Sequence, residues 1–84
     1  MSAGIMESRL LIALGTDPNL NAAGCAAEAG EGAGIIVRHG EHYRGAWSWE
    51  SGAYAFTPAG YSQSTRHAQT IDEAIEVTRQ LARR

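Results

Sequence analysis

The side chains of this chain that could do chemistry are three histidines, one cysteine and a few serines. His39 and His42 flank Gly40-Glu41 at a spacing that could ligate a metal if the chain folded back between them, with His67 as a third imidazole. No acidic or cysteine cluster accompanies them, so they read as surface histidines and no metal site is expected. Cys25 lies among alanines with Glu28 and Glu31 close by; negative neighbours raise a thiol's pKa, which argues against a nucleophile. Ser51, Ser62 and Ser64 neighbour Arg66 and His67 in sequence, but no orienting carboxylate or nucleophile turn goes with them. Gly30-x-Gly32-x-Gly34 is not followed by a helix and lacks the rest of a phosphate-binding loop. No catalytic constellation results, no cofactor is called for, and a non-enzymatic role is expected.

Recognition is the chemistry that remains. All seven basic residues are arginine, and the net charge is −2. Residues 1–34 carry Glu7, Asp17, Glu28 and Glu31 against Arg9, and the remainder is close to balanced, so no basic face of the size used for nucleic acid is expected. Arginine forks match carboxylates in a bidentate way, which suits contact with protein. The candidate partner-binding residues are those strand positions the core does not need: Arg38, Arg44, Ser48 and Glu50, with one exposed tryptophan beside them. Replacing Arg44 by glutamate is expected to leave folding intact and weaken that contact. Trp47 and Trp49 read first as core under a helix.

These side chains need elements to carry them. From Tyr43 to Glu50 the pattern alternates, placing Tyr43, Gly45, Trp47 and Trp49 on one side of a strand and Arg44, Ala46 and Ser48 on the other. Ser51-Gly52 supplies a tight turn, and Ala53 to Thr57 returns with Tyr54 and Phe56 on one face, so aromatic rings stack across a hairpin. Ile35 to His39 is β-branched and ends at Gly40-Glu41, which makes it the preceding strand of the same antiparallel sheet. Thr70 opens a helix: its hydroxyl can accept from the Glu73 amide while Glu73 reaches back, a capping box. Asp72 and Glu73 in its first turn, and Arg79, Arg83 and Arg84 in its last, suit the helix dipole. Ile71, Ala74, Ile75, Thr78, Leu81 and Ala82 form its buried face, with Glu73, Glu76, Arg79 and Arg83 opposite.

The first third of the chain is more open to interpretation. Asp17-Pro18 has the form of an N-cap followed by proline at N1, leading into an alanine-rich helix from Asn19 to Ala29 that ends at Gly30. The other reading of Ala22 to Gly34 is a flexible linker. Glu7 to Leu14 fits a buried helical turn or an N-terminal strand, and Gly15 ends either one. The expected fold is α+β: a three-stranded antiparallel sheet, a C-terminal amphipathic helix packed on one face and an N-terminal helical segment, in the order α-β-β-β-α.

An 84-residue chain makes one domain, with 1–34 helical or partly flexible and 35–84 a β-β-β-α unit. A domain this small buries little more than about 60% of the surface its unfolded chain exposes, so its stability is expected to be modest. A protein partner or a homodimer would add burial. One cysteine rules out an intrachain disulfide and fits a reducing cytoplasm. The apolar N-terminal run is too short to span a bilayer and no basic segment precedes it, so neither a membrane segment nor a signal peptide is expected, and the location reads as cytoplasmic.

Two runs of sequence carry a family resemblance. Glu50-Ser51-Gly52-Ala53-Tyr54-Ala55-Phe56-Thr57-Pro58, then Gly60, then Thr70-Ile71-Asp72-Glu73-Ala74-Ile75 resembles the HicB-like antitoxin domain, over about the last forty residues. The resemblance implies a small sheet with a helix packed on it and a function of binding and blocking a small toxin ribonuclease. Trp47-Ser48-Trp49 and Thr70 to Ala74, with the size and acidity of the chain, are similar to small phage-encoded inhibitors of bacterial defence, including anti-CRISPR proteins; the partner implied there is a subunit of a defence complex. The order α-β-β-β-α is also that of double-stranded RNA-binding domains. Those need lysines at the start of the last helix, where this chain has Ile71-Asp72-Glu73, so the charge has the wrong sign for RNA.

Overall fold

The computed structural model describes residues 3–30 and 34–82; Glu31, Gly32, Arg83, Arg84 and the side chain of Ala82 lie outside the described residues. Helices α1 (Ala3–Thr16) and α2 (Pro18–Ala22) come first. Strands β1 (Cys25–Ala29), β2 (Ile35–His39), β3 (His42–Glu50), β4 (Ala53–Pro58) and β5 (Arg66–Ala68) follow, and α3 (Ile71–Ala82) ends the series. The strands form one five-stranded sheet in the order β1-β2-β3-β4-β5, each antiparallel to the next. The architecture is therefore α+β, with five strands where the sequence pattern implies three.

The two extra strands arise where sequence pattern is weakest. The alanine-rich segment is not one helix: α2 stops at Ala22, Gly24 takes a φ of +83° that favours glycine, and Cys25–Ala29 pairs in register with β2. Alanine has no strong strand preference, so pairing with β2 decides its conformation. Strand β5 hides in the polar connection after Gly60; it is three residues long, and its Ala68 is buried. The stretch from Glu7 to Leu14 resolves as helix, and α1 runs through Gly15 to Thr16. Asp17 then caps α2 by accepting the Leu20 amide at 3.0 Å, with Pro18 at N1 as its position implies.

All three helices lie on one side of the sheet. α1 packs on β1, β3 and α3, α2 on β1 and α3, and α3 on β5. The core between these layers joins Leu10, Leu14 and Leu20 of the first two helices and Ala74 and Val77 of α3 to Ile35, Val37, Trp47, Tyr54 and Phe56 of the sheet. Trp47 is fully buried, its ring 5.1 Å from that of Phe56 and tilted against it. Its Nε1 donates to Thr78 Oγ1 at 3.1 Å, and that hydroxyl donates to the Ala74 carbonyl at 2.8 Å, so the buried indole leaves no polar atom unpaired. Trp49 stands edge-on to Tyr54 at 4.8 Å and packs against the core. The Thr70 hydroxyl accepts the Glu73 amide as a capping box requires, but Glu73 reaches the Gln69 amide, one residue before the cap.

The alternation in β3 breaks at Arg44. Val37 pairs with Gly45 but Arg38 pairs with Tyr43, so Arg44 is the extra residue of a β-bulge. Gly45 is required there: a Cβ would lie 2.5 Å from both Phe56 Cζ and the Thr57 carbonyl oxygen. The bulge turns Arg44 toward the helices, where its Nη2 donates to the Leu81 carbonyl at 3.2 Å. It moves Tyr43, expected beside Trp47, to the opposite face, where it is 45% exposed.

Candidate functional site

With the helices on one side, no helix among the described residues packs on the other face of the sheet. The register places Arg38 between Ala26 and Tyr43, Ser48 opposite Ala55, and Glu50 opposite Ala53. Arg38, Ser48 and Glu50 therefore share this open face, as strand alternation requires once β2 and β3 are in register. Arg44 does not join them; it caps the last turn of α3, where a cation is favourable against the helix dipole. Arg38 Nε donates to Glu28 Oε1 at 2.6 Å across the β1–β2 ladder. Both side chains are about half exposed, and a pair this open to solvent contributes about 0–1 kcal/mol. Its main effect is to hold the guanidinium over the face.

Between these charges, Ala46, Ser48 and Ala55 occupy the middle of the floor, with the half-buried Ile36 in register between Glu28 and Ala46; Ala55 is completely buried. At one end, beside the loop after β4, lies an open groove of 380 Å³ lined by Glu50, Thr57, Ser62, Gln63 and Ser64. Hydroxyls, an amide and a carboxylate can exchange hydrogen bonds with a polar partner. None of them is paired with a base that would make a nucleophile.

The titratable groups elsewhere are spread over the molecule. His39 and His42 face each other across the turn at Gly40-Glu41. The His39 Nε2 donates to the Ala23 carbonyl at 2.7 Å, on the helix side, whereas His67 lies opposite Ala55 on the open face. Among the described residues, no group of three or more His, Cys, Asp or Glu could hold a metal ion. Cys25 is buried in β1, and burial pushes its thiol pKa up, against a smaller opposing effect of Arg44. Arg66 is taken up by Gln80 of α3 at 3.1 Å. Asp17, buried between α2 and α3, receives both Nη2 and Nε of Arg79, at 2.6 and 3.3 Å.

Several residues of the open face do not stand out in the sequence. Glu28 reads as part of an alanine-rich helix, and Ser62 and Ser64 are weighed only as nucleophiles. Tyr43 is placed by the bulge alone. The signal for that was Gly45: a glycine inside a strand marks either a bulge or a close backbone approach, and here it is both.

Among the described residues, no helix is long and apolar enough to cross a membrane. No family model, curated protein or solved structure matches this chain.

Proposed function

We propose that this protein is a non-enzymatic inhibitor that binds a partner protein stoichiometrically through the face of its sheet opposite the helices, in the manner the HicB-like resemblance implies. The observation that carries this reading is the one-sided architecture: three helices pack on one face, and the other presents Arg38, Ser48 and Glu50 around Ala46 and Ile36. Ala46, Ser48 and Ile36, all half-buried, give a partner a shallow, mostly apolar surface to rest on. Charged and aromatic groups at the margin, Arg38 and Tyr43 above all, are the types that dominate protein interfaces. The antitoxin-like version names a small toxin as the partner, and the phage-inhibitor version a subunit of a defence complex; both use the same face. The near-neutral charge of the face, with Arg38 already paired to Glu28, favours protein over nucleic acid.

Ser48→Arg tests this reading. The substitution places a long cation on the floor of the open face, at a position outside the hydrophobic core cluster. Wild type and variant, immobilised separately, are challenged with a lysate of the source organism. A single protein retained in equimolar amount by the wild type, and bound at least tenfold more weakly by a variant of unchanged circular dichroism, is the expected result. Equal retention by both proteins, or recovery of nucleic acid alone, overturns it.

A further inference from the structure

The two ends of the sheet are protected differently. β5 is only three residues long, so its edge offers little ladder to a partner. β1 has five residues, pairs with β2 without a register shift, and contains neither proline nor lysine. Its one charge, Glu28, is matched by Arg38. Short length, bulges, prolines and lysines are the usual means of blocking edge-to-edge pairing, and β1 has none of them.

The ladder also tells which main-chain groups face outward. The Gly40 amide donates to the Gly24 carbonyl at 2.9 Å, and the Gly30 amide to the Gly34 carbonyl at 3.0 Å. Ala26–Arg38 and Glu28–Ile36 lie between those two pairs in the same register. Hydrogen-bonded and open pairs alternate along an antiparallel ladder, so the N–H and C=O groups of Cys25, Ala27 and Ala29 point away from β2 toward the free edge.

We infer that β1 pairs antiparallel with β1 of a second copy of this chain, about a two-fold axis at Ala27. In that register Ala27 faces its own counterpart and Cys25 faces Ala29 of the second copy, so every outward group finds a partner in about six N–H···O=C bonds. The side chains argue for a second copy in particular. On the open face Ala26 comes opposite Glu28 of the second copy, and Arg38 is next to Ala26 in register. Only an alanine methyl then separates Arg38 from that carboxylate, so each Glu28 lies between two guanidinium groups, one from each copy. On the helix side Ala27 meets Ala27, and no bulky side chain stands at the axis. The joined sheet leaves both open faces on one side, and the pairing does not depend on which partner those faces bind.

The test combines light scattering with cross-linking. Wild-type protein is expected at twice the 8.9 kDa of one chain at micromolar to submillimolar concentration. Facing residues in a hydrogen-bonded pair have Cα atoms about 5.5 Å apart, within disulfide range. In a Cys25→Ala background, Ala27→Cys is therefore expected to form a covalent dimer on air oxidation, whereas Ala53→Cys, at the hairpin end, does not. Ala27→Pro removes an outward N–H, leaves the β1–β2 ladder intact, and is expected to elute as a monomer with unchanged circular dichroism. A wild-type monomer throughout this range overturns the inference, and so does a dimer in which Ala27→Cys fails to cross-link.

Discussion

The carboxylate of Asp17 accepts the Leu20 amide at 3.0 Å and the fork of Arg79 at 2.6 and 3.3 Å, so one side chain caps α2 and ties it to α3. The hydrogen bond from Arg79 is the largest influence on its pKa and holds it below the usual 3.8, with burial opposing and the Leu20 amide adding to the fall. A carboxyl depressed in the folded state stabilises fully above its unfolded value near ~4, and that contribution is lost as pH falls through the lower folded value. Asp17→Asn keeps a capping oxygen and removes the charge. It is expected to cost about 2 kcal/mol at neutral pH, because hydrogen bonds to charged groups are worth about that much. Urea titrations at neutral pH and near pH ~2.5 check the sign: the gap between wild type and variant should close in acid. A gap of constant size would mean that Asp17 acts by capping alone. Asp17-Pro18 was legible in the sequence as a helix start; Arg79, sixty-two residues away, was not, because strand and helix patterns carry no information about which element meets which.

At the scale of elements, the hairpin of β3 and β4 shows what local sequence can specify. Glu50 pairs with Ala53 across Ser51-Gly52, and both turn residues have positive φ, +52° and +82°, as a type I′ turn demands. Serine is strained there, whereas asparagine tolerates the left-handed region and precedes glycine in the preferred form of this turn. Ser51→Asn should therefore raise stability by about 0.5–1 kcal/mol. The check is a higher denaturation midpoint at unchanged slope; a midpoint no higher than wild type would show that the strain is relieved in another way. The same kind of local information, turn chemistry and capping, made β2, β3, β4 and α3 readable. β1 and β5 were not readable, because Cys25–Ala29 and Arg66–Ala68 become strands through pairing with β2 and β4, which no short window reports. The open face was legible by halves: alternation put Ser48 and Glu50 on it correctly, and a single bulge exchanged Arg44 for Tyr43.

At the scale of the whole molecule, the question is what fastens α1 to a sheet that begins many residues later. Apolar packing supplies part of it, through Leu10 and Leu14. Glu7 supplies direction. Its Oε1 accepts the Gly34 amide and its Oε2 the Trp49 amide, each at 3.0 Å, so one carboxylate joins α1 to the entry of β2 and the end of β3. The described β2–β3 ladder ends at Ile35 opposite Trp47, and the Trp49 amide lies beyond it. Glu7 thus takes the place of a neighbouring strand at that point. Tyr54 adds a second tie, donating from its hydroxyl to the Met6 carbonyl at 3.0 Å. Losing both acceptors in Glu7→Ala should cost about 2–3 kcal/mol, since two partly buried amides are left unpaired. Glu7→Gln retains one carbonyl oxygen and should fall between the two. Amide hydrogen exchange separates this from a loss of apolar packing: the Trp49 and Gly34 amides should exchange faster in Glu7→Ala under conditions where the Trp47 amide stays protected. If all three accelerated together, α1 would be held by its leucines alone. All three helices pack on the opposite side of the sheet, so a looser α1 with an unchanged open face would also show that the proposed binding surface depends on the sheet and not on the helices.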